Sequence, residues 1–381
     1  SIGLFPGFIG FIGVPLIQKV LTEEECKNQS RTPKKEVLEF AHNQIDMAIN
    51  ELQGKELEKG RVTVGACLAL KARAYLWEND YDNLLTVTSQ LLGKYSLNTT
   101  GETPYADLFN GNAENSNEII LSCEYAHTSG SIATGNRLNQ AFFLKGMSGG
   151  DALGALTPTG SLVDAYPMAD GKLIHEQGST YDPRKPYENR DPRLAQSIIY
   201  PTSTIRNSAT MEWVLYDPED ERTLPGQRYD DKEPSPTGYA WKKYCDWSDH
   251  AMVQILDGGV DVIYFRYADV LLMHAEGLLE TKGVAASSEI FNIINQLRDR
   301  CGGGRVTESN YTSIDALRQL VRNERRIELA NEGLRFFDLR RWKTAEKTPV
   351  IDGEGMNGDL YGAFMRKDGI GATDATVEVD G

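Results

Sequence analysis

Aromatic side chains are concentrated in one polar stretch of the sequence, residues 213–247. A flat aromatic ring can cover the apolar C–H face of a sugar, while neighbouring polar groups bind the hydroxyl edges. Asp and Arg side chains accompany the rings, and Gly, Pro and Ser interrupt the stretch in a way that is typical of loops. The stretch therefore predicts a shallow carbohydrate-binding surface. The candidate ligand-binding residues are Trp213, Tyr216, Tyr229, Tyr239, Trp241 and Trp247.

The same rings have a structural alternative, because aromatic side chains also fill small cores beneath long loops. The two interpretations differ in exposure, since a ring that contacts a ligand must be accessible and a core ring must be buried. For each of the six residues both interpretations stay open at the level of the sequence.

A second pattern, in residues 322–342, reads RNERRIELANEGLRFFDLRRW and interleaves acids with arginines. Glu324, Glu328 and Glu332 are spaced by four and would share one helical face, with Arg325 within reach of Glu328. Hydrolysis by paired carboxylates needs two acids that flank a cleft in different environments. Three acids on one face among arginines favour structural ion pairs instead. The one glycine of the run can end the helix, which predicts a helix, a tight corner and a second helix.

Other catalytic or metal-binding patterns are missing from the sequence. The five histidines are scattered, and no HExxH motif, nucleophile elbow or phosphate-binding glycine loop occurs. The five cysteines form no CxxC pair. Asp217, Glu219, Asp220 and Glu221 lack the spacing of an EF-hand loop, which favours a solvated acidic turn. We therefore predict no catalytic residue, no cofactor and no metal, and the net charge of −15 disfavours nucleic acid as a partner.

Helical periodicity dominates the segments on either side of the aromatic stretch. Apolar residues recur at helical spacing in residues 37–52, and a second helix begins near Thr63 with a face of alanines. A small residue, then Tyr75, then Asp-Tyr and an apolar helix is typical of a tetratricopeptide repeat. Residues 264–279 and 287–300 predict a further helix pair. Because such pairs must stack to bury their faces, we predict a mainly α fold built on a tetratricopeptide-like helical-repeat scaffold.

Between the helical segments the sequence changes to short apolar runs separated by Gly, Pro, Asn, Ser and Thr. This pattern predicts a large loop-rich insertion containing short strands, and loops on a rigid scaffold are where binding groups usually lie. The predicted organisation is an N-terminal helical-repeat segment (1–97), the insertion as candidate ligand-binding region (98–259), a C-terminal helical-repeat segment (260–345) and a Gly-rich acidic tail or loop (346–381).

Several segments resemble, in the same order, those of the SusD/RagB family. The run at 322–342 resembles the signature near the C-terminal end of that family. The other segments are RVTVGACLALKARAY at 61–75, TPTGSLVDAYPMADGK at 157–172, NRDPRL at 189–194, RYADVLLMHAEGLLE at 266–280 and INQLRDRCG at 294–302. Together they cover most of residues 13–342.

The resemblance implies a nutrient-binding lipoprotein of Bacteroidetes-type bacteria, lipid-anchored at the cell surface on the outer membrane. Members of the family usually capture glycans without cleaving them and pass them to a SusC-like TonB-dependent outer-membrane transporter. For this chain the implied ligand is an oligosaccharide or polysaccharide, and the implied partner is such a transporter. Residues 13–16 resemble a segment that members place well inside the chain. The N-terminal region with its lipid anchor is therefore expected to be absent from this chain.

Three alternatives to glycan capture remain. The chain could be a peptide-binding member of the same family, a helical-repeat scaffold for protein partners, or a glycan-cleaving enzyme. Binding measurements against glycans and peptides separate the first two from glycan capture, and release of reducing ends identifies the third.

Overall fold

The computed structural model describes residues 13–58, 60–127, 135–145, 152–206, 211–216, 235–248, 252, 254–307, 310–347 and 361–363. Helices dominate this part of the chain and its strands are short, so the predicted mainly α, tetratricopeptide-like fold class is confirmed. The helices are α1 (Glu23–Lys27), α2 (Lys34–Leu52), α3 (Val64–Glu78), α4 (Tyr81–Thr88), α5 (Leu138–Phe142), α6 (Gly160–Ala165), α7 (Pro192–Ser197), α8 (Tyr267–Lys282), α9 (Ser287–Cys301), α10 (Ile314–Glu328) and α11 (Arg335–Trp342). The strands are β1 (Gly13–Val14), β2 (Thr32–Pro33), β3 (Ile119–Cys123), β4 (Ile198–Ile199), β5 (Thr204–Arg206), β6 (Trp213–Leu215), β7 (Ala240–Trp241) and β8 (Val262–Arg266).

The helices α3 and α4 form a tight pair whose boundaries follow from local residue types. Thr63 begins α3, because its hydroxyl accepts a hydrogen bond from the Ala66 amide (3.2 Å). Asn79 ends α3 in the left-handed conformation (φ 59°), and the Asp80 side chain then caps the start of α4. Alanines on α3 are buried and permit close approach of neighbouring helices. The predicted helix–turn–helix at this position is confirmed.

The helix α8 lies at the centre of the helical body, because it is buried on nearly all sides and packs against α3, α4, α9 and α10. Gly277 permits the close contact with α4, since a Cβ atom there would lie 2.9 Å from Leu85 Cδ2. Gly333, with a φ of 75°, forms the corner between α10 and α11. The predicted helix, corner and helix in residues 322–342 are therefore confirmed.

The insertion is built from short antiparallel strand pairs. β3 pairs with β8, β4 with β7 and β5 with β6, and each pair is a separate two-stranded sheet. Because β8 continues directly into α8, the β3–β8 pair joins the insertion to the helical body. A second hydrophobic core fills the insertion and extends to Ile327 of α10. The described part of the predicted tail also packs there, since the Tyr361 hydroxyl donates to Asp164 (2.7 Å).

A network of buried charges connects the insertion to the helical body. Glu328 of α10 accepts hydrogen bonds from three arginine side chains. These are Arg193 (2.9 Å), Arg266 (2.7 Å) and Arg300 (2.5 Å), and all are buried. Burial alone would raise the pKa of Glu328, but the three guanidinium groups outweigh it and hold that pKa well below its usual range. The structural ion pairs predicted for this helix are confirmed.

Two details of the predicted pairing are wrong. Arg325 does not pair with Glu328 but donates to Asp269 of α8 (2.7 Å) and Asp338 of α11 (2.8 Å). Spacing along one helix identifies possible neighbours, whereas packing of three helices supplies these closer partners. The helix α10 also ends at Glu328, so Glu332 lies beyond the predicted helical face, although its carboxylate joins the same network.

Candidate functional site

The six predicted site residues divide into accessible and buried groups. Trp213 is exposed, with 63% of its surface accessible, and Trp247 is partly buried. Tyr229 lies outside the described residues. Three more belong to the core of the insertion and are at most 7% accessible. They are Tyr216, Tyr239 and Trp241.

Strand geometry explains why two similar tryptophans have different surroundings. Trp213 and Leu215 are both exposed on β6, since side chains two apart lie on the same face of a strand. Trp241 instead lies in β7 opposite Ile198, and both side chains are buried. The Trp241 ring is therefore a core residue, as the structural alternative in the sequence analysis describes.

A pocket of about 300 Å³ brings Trp213 and Trp247 together. Its other described lining residues supply hydroxyl groups, small or apolar side chains and one ammonium group. They are Ala195, Ile199, Tyr200, Thr202, Ser203, Thr204 and Lys242. Aromatic surface beside hydroxyl donors and acceptors is the combination that a sugar ring requires. The structure thus unites two of the predicted residues in one concave site.

A tight turn between β4 and β5 forms one wall of the pocket. The Ser203 amide donates to the Tyr200 carbonyl (2.8 Å), and the Tyr200 amide donates to the Ser203 hydroxyl (3.0 Å). Thr202 has a φ of 79°, a region that non-glycine residues rarely adopt. Its amide donates to the Tyr216 carbonyl (2.8 Å), which helps to hold this strained residue in place.

Aromatic contacts fix the rings on the other sides of the pocket. The Trp247 ring packs on Phe143, with 4.8 Å between ring centroids, and the Trp247 carbonyl accepts a hydrogen bond from Arg206 (3.2 Å). Tyr200 stacks on Tyr187 with 4.3 Å between centroids. These contacts hold the Trp247 and Tyr200 rings in place, and fixed rings reduce the entropy lost when any ligand binds.

Tyr200, Ser203 and Lys242 line the pocket but were not predicted from the sequence. Tyr200 belongs to a short apolar run, and the Pro-Thr-Ser sequence that follows it predicts a turn but not a binding wall. Lys242 follows Trp241 directly, and alternation along a strand would place the two side chains on opposite sides. This alternation predicts an exposed Lys242 only once Trp241 is known to be buried.

A larger and more polar pocket, of about 630 Å³, lies in the loop of residues 98–116. Its described lining has no aromatic side chain and is rich in asparagine. Much of its polar capacity is already used internally, because Thr103 and Asn110 both donate to Asp107 (3.0 and 3.3 Å). We therefore regard the smaller pocket with Trp213 as the candidate site.

Two further features bear on the class of protein. In the described ranges, no helix combines the length and apolar character needed to cross a lipid bilayer. Within those same ranges, no three His, Cys, Asp or Glu side chains are grouped so that they could hold a metal ion. The acidic residues 217–221 lie outside the described residues.

The fold and the pocket together define a helical-repeat protein with a concave candidate site in its strand-containing region. A model of the SusD family matches residues 117–374 of this sequence. The match covers more than half of the chain, so the protein belongs to the SusD family. This family assignment confirms the resemblance found in the sequence.

Individual relatives support the same assignment. SusD-like protein P38 of Formosa agariphila is 26% identical over 360 residues, which cover 87% of this chain and 62% of that protein. This chain therefore spans less than two thirds of the length of that relative.

Solved structures agree with the fold. A SusD-like protein from Bacteroides fragilis matches with a TM-score of 0.75 and 29% identity, over 95% of this chain and 69% of that one. A SusD-like carbohydrate binding protein from the same species matches with a TM-score of 0.71 and 26% identity, over 90% of this chain and 65% of that one.

Proposed function

We propose that this protein captures an oligosaccharide or a segment of polysaccharide, without cleaving it, in the pocket that contains Trp213 and Trp247. The observation that carries the proposal is an exposed tryptophan beside a second, partly buried one and a wall of hydroxyl groups. A ring of the sugar stacks on Trp213, and its hydroxyl groups exchange hydrogen bonds with the turn at Ser203. Similarity to a SusD-like carbohydrate binding protein supports the same ligand class.

The size of the pocket limits the affinity. A volume of about 300 Å³ accommodates one or two sugar units, and an open site leaves much of the ligand in water. We expect dissociation constants between about 1 µM and 1 mM for short oligosaccharides. Longer chains can bind more tightly where additional units contact the protein.

The pocket lining favours binding over cleavage. Hydrolysis of a glycosidic bond uses two carboxyl groups roughly 5–9.5 Å apart, one on each side of the bond. No Asp or Glu occurs among the described residues that line this pocket. The buried glutamates of α10 are held in ion pairs inside the protein, where a polysaccharide cannot reach them.

Membership in the SusD family supports the remaining parts of the proposal. The captured glycan passes to a SusC-like TonB-dependent transporter, and the protein acts at the cell surface of the outer membrane, held by a lipid anchor. Co-purification of the full-length protein with a transporter from the native membrane tests this partnership.

Titration calorimetry against a panel of polysaccharides and peptides tests the ligand class. We expect heat with at least one glycan and none with the peptides. Binding of peptides without binding of any glycan would instead support the peptide-binding alternative. A reducing-end assay on the bound glycan should remain at background, and sustained release of reducing ends would contradict non-catalytic capture.

A further inference from the structure

Lys242 gives the candidate pocket an electrostatic character that differs from the rest of the molecule. The protein as a whole carries a net charge of −15. Among the described residues that line the pocket, however, Lys242 is the one charged side chain. The charge of the described pocket lining therefore has the opposite sign to the net charge of the protein.

Lys243, the next residue in the chain, is a lysine with a structural role. The Lys243 ammonium is buried and donates to Glu332 (2.7 Å), to the Tyr105 hydroxyl (2.9 Å) and to the Glu328 carbonyl (3.2 Å). Its three donors are therefore all used. Lys243 belongs to the buried charge network and has no capacity left for a ligand.

Lys242 has a different set of contacts. Its backbone is fixed, because its amide donates to the Ser197 carbonyl (2.8 Å) at the end of β7. Its ammonium donates to the Ala195 carbonyl (3.3 Å), and within the described ranges it forms no salt bridge. Two of its three donors therefore have no acceptor among the described residues, and no carboxylate of those residues pairs with them.

We propose that the pocket selects an anionic sugar, in which a carboxylate or sulfate group binds the Lys242 ammonium while the sugar ring stacks on Trp213. This inference rests on the proposed function and adds the chemical class of the ligand. Uronic acids and sulfated sugars share the required chemistry, an anionic group on the edge of a ring whose C–H face is apolar.

The surroundings of Lys242 strengthen such a contact. The residue is accessible to solvent and lines the concave pocket beside Trp213 and Trp247. Partial burial lowers the pKa of Lys242, which is the direction expected for a cation that lacks a nearby anion. An anionic ligand would supply that missing partner, and reduced contact with water strengthens their attraction.

General electrostatic attraction cannot explain a preference for anionic glycans, because the protein is itself negatively charged. A protein with a charge of −15 repels a polyanion at distances beyond the contact site. A preference for anionic glycans must therefore come from a local contact. Raising the salt concentration screens the long-range repulsion, whereas a close ion pair in a pocket is screened less.

The test compares matched anionic and neutral glycans by titration calorimetry at low and at physiological salt. The probes are polygalacturonate and its carboxyl-reduced form, and a sulfated galactan and its desulfated form. The variants are Lys242→Gln, Lys242→Arg and, as a control for the loss of one positive charge elsewhere, Lys94→Gln, because Lys94 is exposed and does not line the pocket. The thermal unfolding of each variant verifies that it is folded.

We expect the wild-type protein to bind one of the anionic glycans at least about tenfold more tightly than its neutral counterpart, which corresponds to about 1.4 kcal/mol. Lys242→Gln should remove this preference, Lys242→Arg should keep part of it, and Lys94→Gln should leave it unchanged. The pair of glycans that shows the preference identifies carboxylate or sulfate as the anion.

Other outcomes would overturn the inference in distinguishable ways. If the protein binds neutral glycans equally well, or if Lys242→Gln keeps the anionic preference, Lys242 does not select the ligand and the proposed glycan capture stands. If the wild-type protein binds none of the four probes but binds a neutral glycan of the wider panel, the inference is wrong and glycan capture stands; if it binds no glycan of either set, both are wrong.

Discussion

The buried charge network of α10 and the pocket of the insertion differ in how their charged side chains are paired. In the network, Glu328 binds three arginines, and the charged groups are removed from water only because they have partners. In the pocket, Lys242 and Trp213 are accessible and keep much of their bonding and stacking surface available. The carboxylate of Glu328 thus binds three buried cations, whereas the ammonium of Lys242 has a backbone carbonyl as its hydrogen-bond acceptor and forms no salt bridge within the described residues.

Replacement of Glu328 should produce the largest effect. Glu328→Ala leaves three buried arginines without one of their partners, so we expect a loss of about 5 kcal/mol in the free energy of unfolding, or failure to fold. Urea denaturation measures this loss. The matched control is Glu23→Ala, because Glu23 forms an exposed ion pair with Lys27 (2.6 Å) and should have no measurable effect. Equal midpoints for the two variants would show that the network contributes no net stability.

Replacement of Trp241 should come next. The ring is 7% accessible and belongs to the core of the insertion, so Trp241→Ala should cost about 3 kcal/mol through lost burial and a cavity. Thermal unfolding measures this effect. An unchanged melting temperature together with weaker glycan binding would place Trp241 in the binding surface, as the sequence analysis allowed.

Acid should weaken the buried ion pairs of the helical body, and the expected effect is smaller. Burial alone would raise the pKa of Asp269, but Arg73 and Arg325 outweigh it, and the pKa of this carboxyl lies below its ordinary value. The pKa of Glu276 is lowered in the same way by Arg341. As the pH falls, the unfolded chain takes up protons first, at about pH 4 to 4.5, so stability decreases below that range.

Urea midpoints measured between pH 7 and pH 3 check this dependence. We expect little change from pH 7 to pH 5 and a loss of about 2 kcal/mol by pH 3. A stability that stays constant down to pH 3 would show that the buried carboxylates keep the same proton affinity in the folded and unfolded states.

Replacement of Trp213 should have the smallest effect on stability. Its ring is largely exposed, so Trp213→Ala should change the free energy of unfolding by no more than about 0.5 kcal/mol. Glycan affinity, however, should fall about tenfold, because the stacking surface is lost. Phe336→Ala is the matched control, since Phe336 is also exposed (53%) but lies on α11 and does not line the pocket. A similar fall in affinity for both variants would contradict a specific role for Trp213.

The sequence predicts the helical body well because its signals are local. Thr63, Asn79 and Gly333 lie at helix boundaries, and each residue type is suited to its position by its own backbone or side-chain chemistry. The partners of Arg325 could not be predicted in this way. They come from α8 and α11, and the spacing of residues along α10 contains no information about them.

The site is predicted less completely, and the two tryptophans show why. Trp213 and Trp241 lie in similar loop-rich sequence, but strand pairing exposes the first ring and buries the second. Lys242 was not predicted, because the sequence does not show that it lines the pocket without a salt-bridge partner among the described residues. The assignment of Trp213 and Trp247 to a binding site stays a prediction, as does the division of the chain into segments at residues 97, 259 and 345.

A crystal structure of the protein with the oligosaccharide that binds most tightly tests the central claim most directly. We predict a sugar ring within about 4 Å of the face of Trp213, with an oxygen atom of the ligand within hydrogen-bonding distance of Lys242 or Ser203. A ligand bound in the polar loop of residues 98–116, with the Trp213 pocket empty, would contradict the account.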